Sequence, residues 1–304
     1  MAWRKLGLVY RPPGTAAWAL TNAAYPTAEV VAEDRLRIYF TSLDANNFGR
    51  GGWLEVDPTD PCRVLELCDG PILDIGDPGD FDDCGANPFS VLTFQGRRLM
   101  YYQGWQRGLR TPFAAFTGLA VGDAAGRFTK WARVPILDRT DEEPHIRGAP
   151  CVLDCGDHLR MWYVASSRWS EGPAGLHYFV TIRHATSTDG ITWTTTPGPC
   201  LTPEDDEYAV GRPWVVRDGA LFRMWYAIRS LNRPYAIGYA ESDDGLTWRR
   251  QDDRAGIARS AEGWDSEMIC FPNVVDAGGR RLLFYNGNRH GASGFGCAEW
   301  VADA

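Results

Sequence analysis

The sequence has no long apolar run, no block of basic residues and no CxxC pair. Nowhere do about 18 apolar residues follow one another, which excludes an ordinary membrane-spanning helix. No apolar segment of the signal-peptide type follows Met1, so we expect a cytoplasmic protein without an export signal. The net charge of −8, without a basic block, disfavours nucleic acid or an anionic membrane as a partner. A small neutral or cationic ligand suits this charge better.

The eight cysteines form no regular framework, which favours free and mostly buried thiols in a reducing compartment. They are Cys62, Cys68, Cys84, Cys151, Cys155, Cys200, Cys270 and Cys297. We expect no cofactor and no metal. An acidic funnel could hold a calcium ion on its axis, but no loop shows recognisable calcium-ligand spacing.

Long stripes of Ala, Leu, Glu and Lys, typical of helical proteins, are also missing. The sequence instead carries 33 Gly, 19 Pro, 13 Trp, 12 Tyr and 13 Phe. This composition favours many short strands joined by turns, and predicts an all-β protein.

A repeat of about 60 residues, within the range of propeller blades, runs through the chain. Its register is set by a proline at the start of an apolar run, at Pro26, Pro88, Pro150, Pro213 and Pro272. A second strand with an aromatic end follows each proline, at residues 37–40, 99–102, 160–163, 223–226 and 282–285. Third and fourth strands follow, the fourth after near-identical turns at 189–193 and 244–248.

Four strands per repeat predict a single-domain, five-bladed β-propeller. The last repeat has only three strands before Ala304, and residues 3–10 resemble a fourth strand, so we predict that the N-terminal strand closes the ring. The predicted blades span roughly residues 20–80, 81–142, 143–206, 207–263, and 264–304 together with 3–10.

In a propeller the innermost strands all run the same way along the axis, so their entrances converge on one face. The polar residues upstream of each proline should therefore line an axial funnel. The candidates are Asn22, Asp82, Asp83, Glu143, His145, Arg147, Glu207, Arg212, Asp265 and Glu267. Glu267 is placed inside the predicted last inner strand, where a carboxylate needs a partner or a role.

Carboxylates around a funnel are what glycosidic bond cleavage needs, because one acid protonates the leaving oxygen and a second carboxylate activates water or attacks the sugar. A structural role is the alternative for each residue. The acids could cap turns or occupy solvated loops, and Arg147 and Arg212 could simply pair with them.

The five repeats, the Asp-Gly-Ile-Thr-Trp and Asp-Gly-Leu-Thr-Trp turns, and the segment Trp264-Asp265-Ser266-Glu267-Met268 resemble the five-bladed propeller superfamily of arabinanases, levansucrases and invertases. That superfamily includes glycoside hydrolase families 43 and 32, and more narrowly the chain resembles an uncharacterised bacterial branch of it. The resemblance implies a glycosidase-like enzyme, hydrolase or transglycosidase, acting on a small carbohydrate or sugar-like substrate.

From this resemblance we assign Glu207 as general acid and Asp82 or Glu267 as base. Asp265 and Glu143 would be modulators or hydroxyl ligands, and Arg212 a substrate anchor. The classical members carry a base aspartate at the first blade entrance, which here reads Thr21-Asn22-Ala23-Ala24-Tyr25-Pro26 and contains no acid. Two alternatives therefore stay open: a carbohydrate-binding or scaffolding propeller without turnover, and a repurposed enzyme of sugar or natural-product biosynthesis. If arginines or backbone N–H groups bound all of these carboxylates, a binding or structural role would be favoured over catalysis. The oligomeric state is not predicted.

Overall fold

The computed structural model describes residues 2–172 and 175–301, and within them the protein is all-β, with twenty strands. A single 3₁₀ turn, Asp252–Arg254, and a four-residue helical turn, α1, Asn288–Gly291, interrupt the strands of this described part. No helix within these ranges is long and apolar enough to cross a membrane.

The strands group into five antiparallel sets of four, which we call units 1 to 5. Unit 1 contains β2 (Thr21–Ala32), β3 (Arg35–Leu43), β4 (Gly49–Asp57) and β5 (Asp60–Leu67). Unit 2 contains β6 (Gly85–Phe94), β7 (Arg97–Arg107), β8 (Phe113–Gly122) and β9 (Phe128–Lys130). Unit 3 contains β10 (Ile146–Asp154), β11 (Leu159–Gly172), β12 (Gly175–Ser187) and β13 (Thr194–Thr195).

Unit 4 contains β14 (Glu207–Asp218), β15 (Leu221–Ser230), β16 (Ala236–Ser242) and β17 (Arg249–Arg250). Unit 5 contains β18 (Cys270–Ala277), β19 (Arg280–Asn286) and β20 (Phe295–Val301), and its fourth strand is the N-terminal β1 (Ala2–Tyr10). The first and the last strand of the described part therefore lie in the same antiparallel sheet.

Each unit packs its apolar face on the next, and these contacts form the core. Leu99 of unit 2 packs with Leu159 of unit 3, for example, and both side chains are fully buried. Unit 5 packs on unit 1 in the same way, with Leu282 and Phe284 against Leu36 and Ile38. Such side-by-side packing of four-stranded antiparallel sets is the arrangement of a β-propeller-like fold.

The repeated turns are held by their aspartates. Asp244 accepts hydrogen bonds from the N–H groups of Leu246 and Thr247, both at 2.8 Å, and from the Ser242 hydroxyl. Hydrogen bonds from these backbone N–H groups lower the pKa of Asp244 to about 2. Asp189 holds the equivalent turn in unit 3 with the same set of contacts. The likeness of the two turn sequences thus has a structural reason in these shared hydrogen bonds.

The all-β prediction is confirmed. All five second strands lie where the repeat places them. One placement was wrong, because β18 begins only at Cys270, and Glu267 lies three residues earlier in an exposed bend. Its carboxylate is therefore not buried in a strand and needs no buried partner.

Candidate functional site

The innermost strand of each unit is irregular at the repeated proline. In four units the residue directly before the proline has a left-handed backbone, with φ of 58° at Tyr25, 48° at Ala149, 48° at Arg212 and 56° at Phe271. The pairing with the second strand slips at the same points. Residues with a Cβ rarely adopt this conformation, and such strain tends to persist at functional sites.

The slip in the pairing breaks the usual alternation of side chains along the strand. As a result, the side chains of these four residues all line one central pocket. In unit 2 the slip falls after the proline instead, and Phe89 lines the same pocket. The pocket thus receives a side chain from the innermost strand of every unit. The empty space of the pocket, counted together with its open mouth, is about 530 Å³.

Aromatic rings form much of the pocket wall. The Tyr25 ring lies 4.4 Å from that of Phe271 and 5.0 Å from that of Phe89. Phe113 and Tyr178, with centroids 5.5 Å apart, line the side formed by units 2 and 3. The polar lining residues are Gln103, Arg212 and Arg229. No carboxylate is among the lining residues within the described part of the chain.

The predicted acids lie elsewhere, and four of them are each bound within their own unit. Asp82, only 1% exposed, forms an ion pair with Lys130 at 2.6 Å and accepts a hydrogen bond from the Tyr102 hydroxyl at 2.9 Å. Tyr102 belongs to the second strand and Lys130 to the fourth. The carboxylate therefore joins three parts of unit 2.

Unit 5 repeats this arrangement. Asp265 pairs with Lys5 at 2.6 Å and accepts a hydrogen bond from Tyr285 at 2.9 Å. Burial alone would raise the pKa of Asp265, but the hydrogen bonds from Lys5, Ser260 and Tyr285 outweigh it and hold the pKa below its usual range. Since Lys5 lies in β1, this contact also fastens the N-terminal strand to unit 5.

Units 3 and 4 carry variants built on arginine. Glu143 pairs with Arg147 and Arg183 and accepts a hydrogen bond from Tyr163 at 3.0 Å. Arg183 stands where unit 2 has Gly118, since each lies opposite the tyrosine of its second strand.

In unit 4 both oxygens of Glu207 are bound by Arg250, each at 2.9 Å. Arg250 also contacts Asp252, which accepts a hydrogen bond from Tyr226. We call these four groupings of acid, tyrosine and cation the acid clusters.

Unit 1 lacks all three members of the cluster at once. It has the apolar segment 18–20 where the other units have the acid, Phe40 where they have tyrosine, and Leu67 where unit 2 has Lys130. The absence of an acid at the first entrance is thus matched by the absence of its partners. A polar cluster replaced as a whole by apolar residues is what a structural role predicts.

The remaining candidates are also spread out. Arg147, already in the unit 3 cluster, donates to the Asp138 carbonyl, and Asp83 accepts a hydrogen bond from the Gly79 N–H at 2.8 Å. Asn22 donates to the carbonyl of His290 at 3.3 Å, and the His145 backbone joins β8. Glu267 is exposed, and no ion pair of its side chain occurs within residues 2–172 and 175–301. Of the ten predicted site residues, Arg212 alone lines the central pocket as described.

Sequence reasoning missed Tyr25, Phe89, Phe271 and Arg229. The signal for the first three was the repeated proline itself, because the residues beside it occupy the slipped positions. In addition, the spacing of 20 residues between acid and tyrosine recurs at Asp82–Tyr102, Glu143–Tyr163 and Asp265–Tyr285, and indicates a structural pair.

No group of three or more His, Cys, Asp or Glu side chains in the described ranges is placed to hold a metal ion. The eight cysteines are free, and Cys84, Cys151, Cys270 and Cys297 are buried. His290 lies beside the pocket, with its ring 4.9 Å from Tyr235 and 6.2 Å from Phe271. Burial, and then the charge of Arg229, lower the pKa of His290 to about 4, so it is neutral at pH 7.

Solved structures with this fold are glycoside hydrolase-like. A glycosyl hydrolase from Bacteroides ovatus matches with a TM-score of 0.77 and 15% identity, covering 98% of this chain and 93% of that one. A chain described with the GH130 mannoside phosphorylases, and with glycoside hydrolases that target beta-1,2 mannosidic linkages in Candida mannan, matches at 0.75 and 15%, covering 100% and 96%. A thermostable family-43 glycoside hydrolase matches at 0.68 and 18%, covering 97% and 94%. At these identities the likeness establishes the fold alone.

No family model matches the chain. Two proteins of Mycobacterium tuberculosis do, each 37% identical over 299 residues, which is 98% of this chain and 99% of the relative. They are described as uncharacterized protein Rv1502, of strain H37Rv, and uncharacterized protein MT1551, of strain CDC 1551. The chain therefore belongs to the same family as Rv1502 of Mycobacterium tuberculosis.

Proposed function

We propose that this protein is a carbohydrate-active β-propeller that binds a sugar-like ligand in its central pocket. The observation that carries the proposal is the convergence of four left-handed residues, Tyr25, Ala149, Arg212 and Phe271, on that pocket. The left-handed backbone is strained, and it recurs at the same place in four units. Contact between these side chains and a ligand would explain why the strain is kept. A mostly apolar, aromatic wall with a few polar groups is typical of small-molecule sites.

The same proposal includes the architecture. The five antiparallel sets are taken as the five blades of one closed propeller spanning residues 1–304, with boundaries as given above and β1 as the outer strand of the last blade. Supporting this are the pairing of β1 with β20 and the packing of unit 5 on unit 1. In such a ring the central pocket lies on the axis.

Binding is favoured over two-carboxylate hydrolysis because of how the acids are engaged. A glycosidase of that type needs two carboxyl groups facing each other across the substrate, about 5–9.5 Å apart. Here Asp82, Glu143, Glu207 and Asp265 are each occupied by a cation within their own unit. Their catalytic roles stay predictions.

We expect a neutral or charged monosaccharide from a broad panel to raise the melting temperature of the protein, and Phe113→Ala to weaken its binding about tenfold. Losing the burial of a phenylalanine ring against a ligand costs about 1.5 kcal/mol or more, which is a factor of ten or more in Kd. Phe113 is half-buried at the pocket wall, so the fold should tolerate the change. Isothermal titration calorimetry gives the two dissociation constants.

Trp131→Ala is the matched control, because this ring is 52% exposed and lies outside the pocket. It should leave the affinity unchanged. A sugar that binds Phe113→Ala and Trp131→Ala equally well would place the carbohydrate site outside the central pocket. If no sugar of the panel bound the protein, the proposal would be contradicted.

Glycoside hydrolysis is the second candidate function, favoured by the glycoside hydrolases among the structural neighbours. Glu267 is the predicted catalyst best placed for it, since its carboxylate is exposed and unpaired within the described residues. A glycoside that the protein hydrolyses, with turnover lost in Glu267→Gln and kept in Glu262→Gln, would establish this function. Binding without turnover in the same assays would rule it out.

A further inference from the structure

The central pocket has a charge opposite to that of the protein as a whole. The chain has 39 acidic and 31 basic residues, for a net charge of −8. The pocket lining nevertheless includes Arg212 and Arg229 and, within the described residues, no aspartate or glutamate. An arrangement so unlike the surface calls for a local explanation.

Arg212 is the more unusual of the two arginines, because it is only 2% exposed and has no acidic partner in the described structure. Its Nη2 donates to the Thr27 hydroxyl at 2.8 Å and to the Pro26 carbonyl at 3.2 Å. Its Nε and Nη1 have no hydrogen-bond partner within residues 2–172 and 175–301. The guanidinium lies 4.6 Å from the centre of the Phe89 ring and 5.1 Å from that of Trp214.

Arg229 lies on the same pocket, held between two rings. Its guanidinium is 4.9 Å from the centre of Tyr178 and 4.8 Å from that of Tyr235. No hydrogen bond or ion pair of its side chain is found among the described residues, in contrast to Arg250 or Arg183. Two arginines on one pocket are thus fixed by aromatic stacking with most of their donors unused.

A buried charge is costly unless an opposite charge or a full set of hydrogen bonds compensates it. Cation–π contacts compensate only part of that cost. Burial lowers the pKa of Arg212 to about 10, while Cys151 and Tyr25 act in the opposite direction. The Arg212 side chain therefore still carries its charge at pH 7. An anionic group of a ligand would supply the missing partner for both guanidinium groups.

We propose that the central pocket binds an acidic sugar, a monosaccharide-sized ring that carries a carboxylate or a phosphate, with its anionic group at Arg212 and Arg229. This rests on the proposed function and specifies its ligand class. The aromatic wall of Tyr25, Phe113 and Phe271 would contact the ring, and the arginines would select for the charge. It replaces the expectation of a neutral or cationic ligand drawn from the net charge of the whole chain.

The test uses matched sets of glucose, galactose and mannose, each as the neutral sugar, the uronate and the 6-phosphate, titrated calorimetrically at constant ionic strength. At least one uronate or 6-phosphate should bind saturably, and at least tenfold more tightly than its neutral counterpart. The form that binds tells whether the carboxylate or the phosphate is recognised. Inorganic phosphate is titrated alone to separate the anion from the sugar.

Arg229→Gln should weaken binding of the acidic sugar at least tenfold. Arg249→Gln removes the same charge from an exposed arginine outside the pocket and should leave the affinity unchanged. Circular dichroism and melting temperature show whether each variant is folded. Because the Arg229 side chain makes no hydrogen bond in the described structure, its replacement should not unfold the protein.

Three outcomes overturn the inference. A neutral sugar that binds as tightly as its acidic forms, with no effect of Arg229→Gln, contradicts it while the proposed sugar-binding function stands. Inorganic phosphate that binds as tightly as every sugar phosphate contradicts the role of the ring. Absence of binding by all nine sugars contradicts both the inference and the proposed function.

Discussion

Lys130→Leu is expected to lower the free energy of unfolding by about 3 kcal/mol. The change leaves the buried carboxylate of Asp82 without its cation. Breaking a buried ion pair by removing one partner costs about 3–5 kcal/mol, and the lower value applies because Lys130 is itself 24% exposed. Urea unfolding at pH 7 measures the loss.

The triple variant Asp82→Ala, Tyr102→Phe and Lys130→Leu should recover at least half of this loss. It removes all polar members of the cluster together and leaves no buried charge. Unit 1 already carries Ala19, Phe40 and Leu67 at the corresponding places, so the fold accommodates an apolar set. A triple variant less stable than Lys130→Leu would mean that the acid clusters are not interchangeable structural elements.

Arg212→Met is expected to have the opposite effect and to stabilise the ligand-free protein, by about 1–3 kcal/mol. Methionine fills a similar volume between Phe89 and Trp214 but carries no charge to bury. The loss of the hydrogen bonds to Thr27 and Pro26 subtracts about 1 kcal/mol from the gain. The variant should at the same time lose binding of the acidic sugar.

Arg147→Met is the matched control for this variant. Arg147 is 5% exposed, close to the 2% of Arg212, but it pairs with Glu143. We therefore expect Arg147→Met to lower stability. If Arg212→Met also lowered the free energy of unfolding by more than about 1 kcal/mol, the Arg212 guanidinium would stabilise the fold, and an anion-binding role would not be needed to explain it.

The fold was largely predictable from the sequence because its signals are local. A proline within each inner strand and an aromatic pair within each second strand set the register of five repeats. Apolar alternation and turn residues such as Asp244 and Gly245 act over a few positions, so they are readable without the structure. Glu267 was misplaced because the apolar run 268–271 begins before the strand does.

The site was predictable only in part, because chain position does not fix where a side chain points. Glu207 begins the inner strand β14 and Asp265 lies upstream of β18, yet their carboxylates bind Arg250 and Lys5 on outer strands. The residues that reach the axis, such as Phe271, do so through a left-handed backbone that bulky residues rarely adopt. The local propensities of these residues do not predict a left-handed backbone.

A crystal structure of the protein soaked with the acidic sugar that binds most tightly would show where the ligand lies. We expect density in the central pocket, with the carboxylate or phosphate within hydrogen-bond distance of Arg212 or Arg229 and the ring against Tyr25, Phe113 or Phe271. The acid clusters should keep their ion pairs unchanged. A sugar bound instead at Glu143 or Glu207, with those ion pairs opened, would contradict the account.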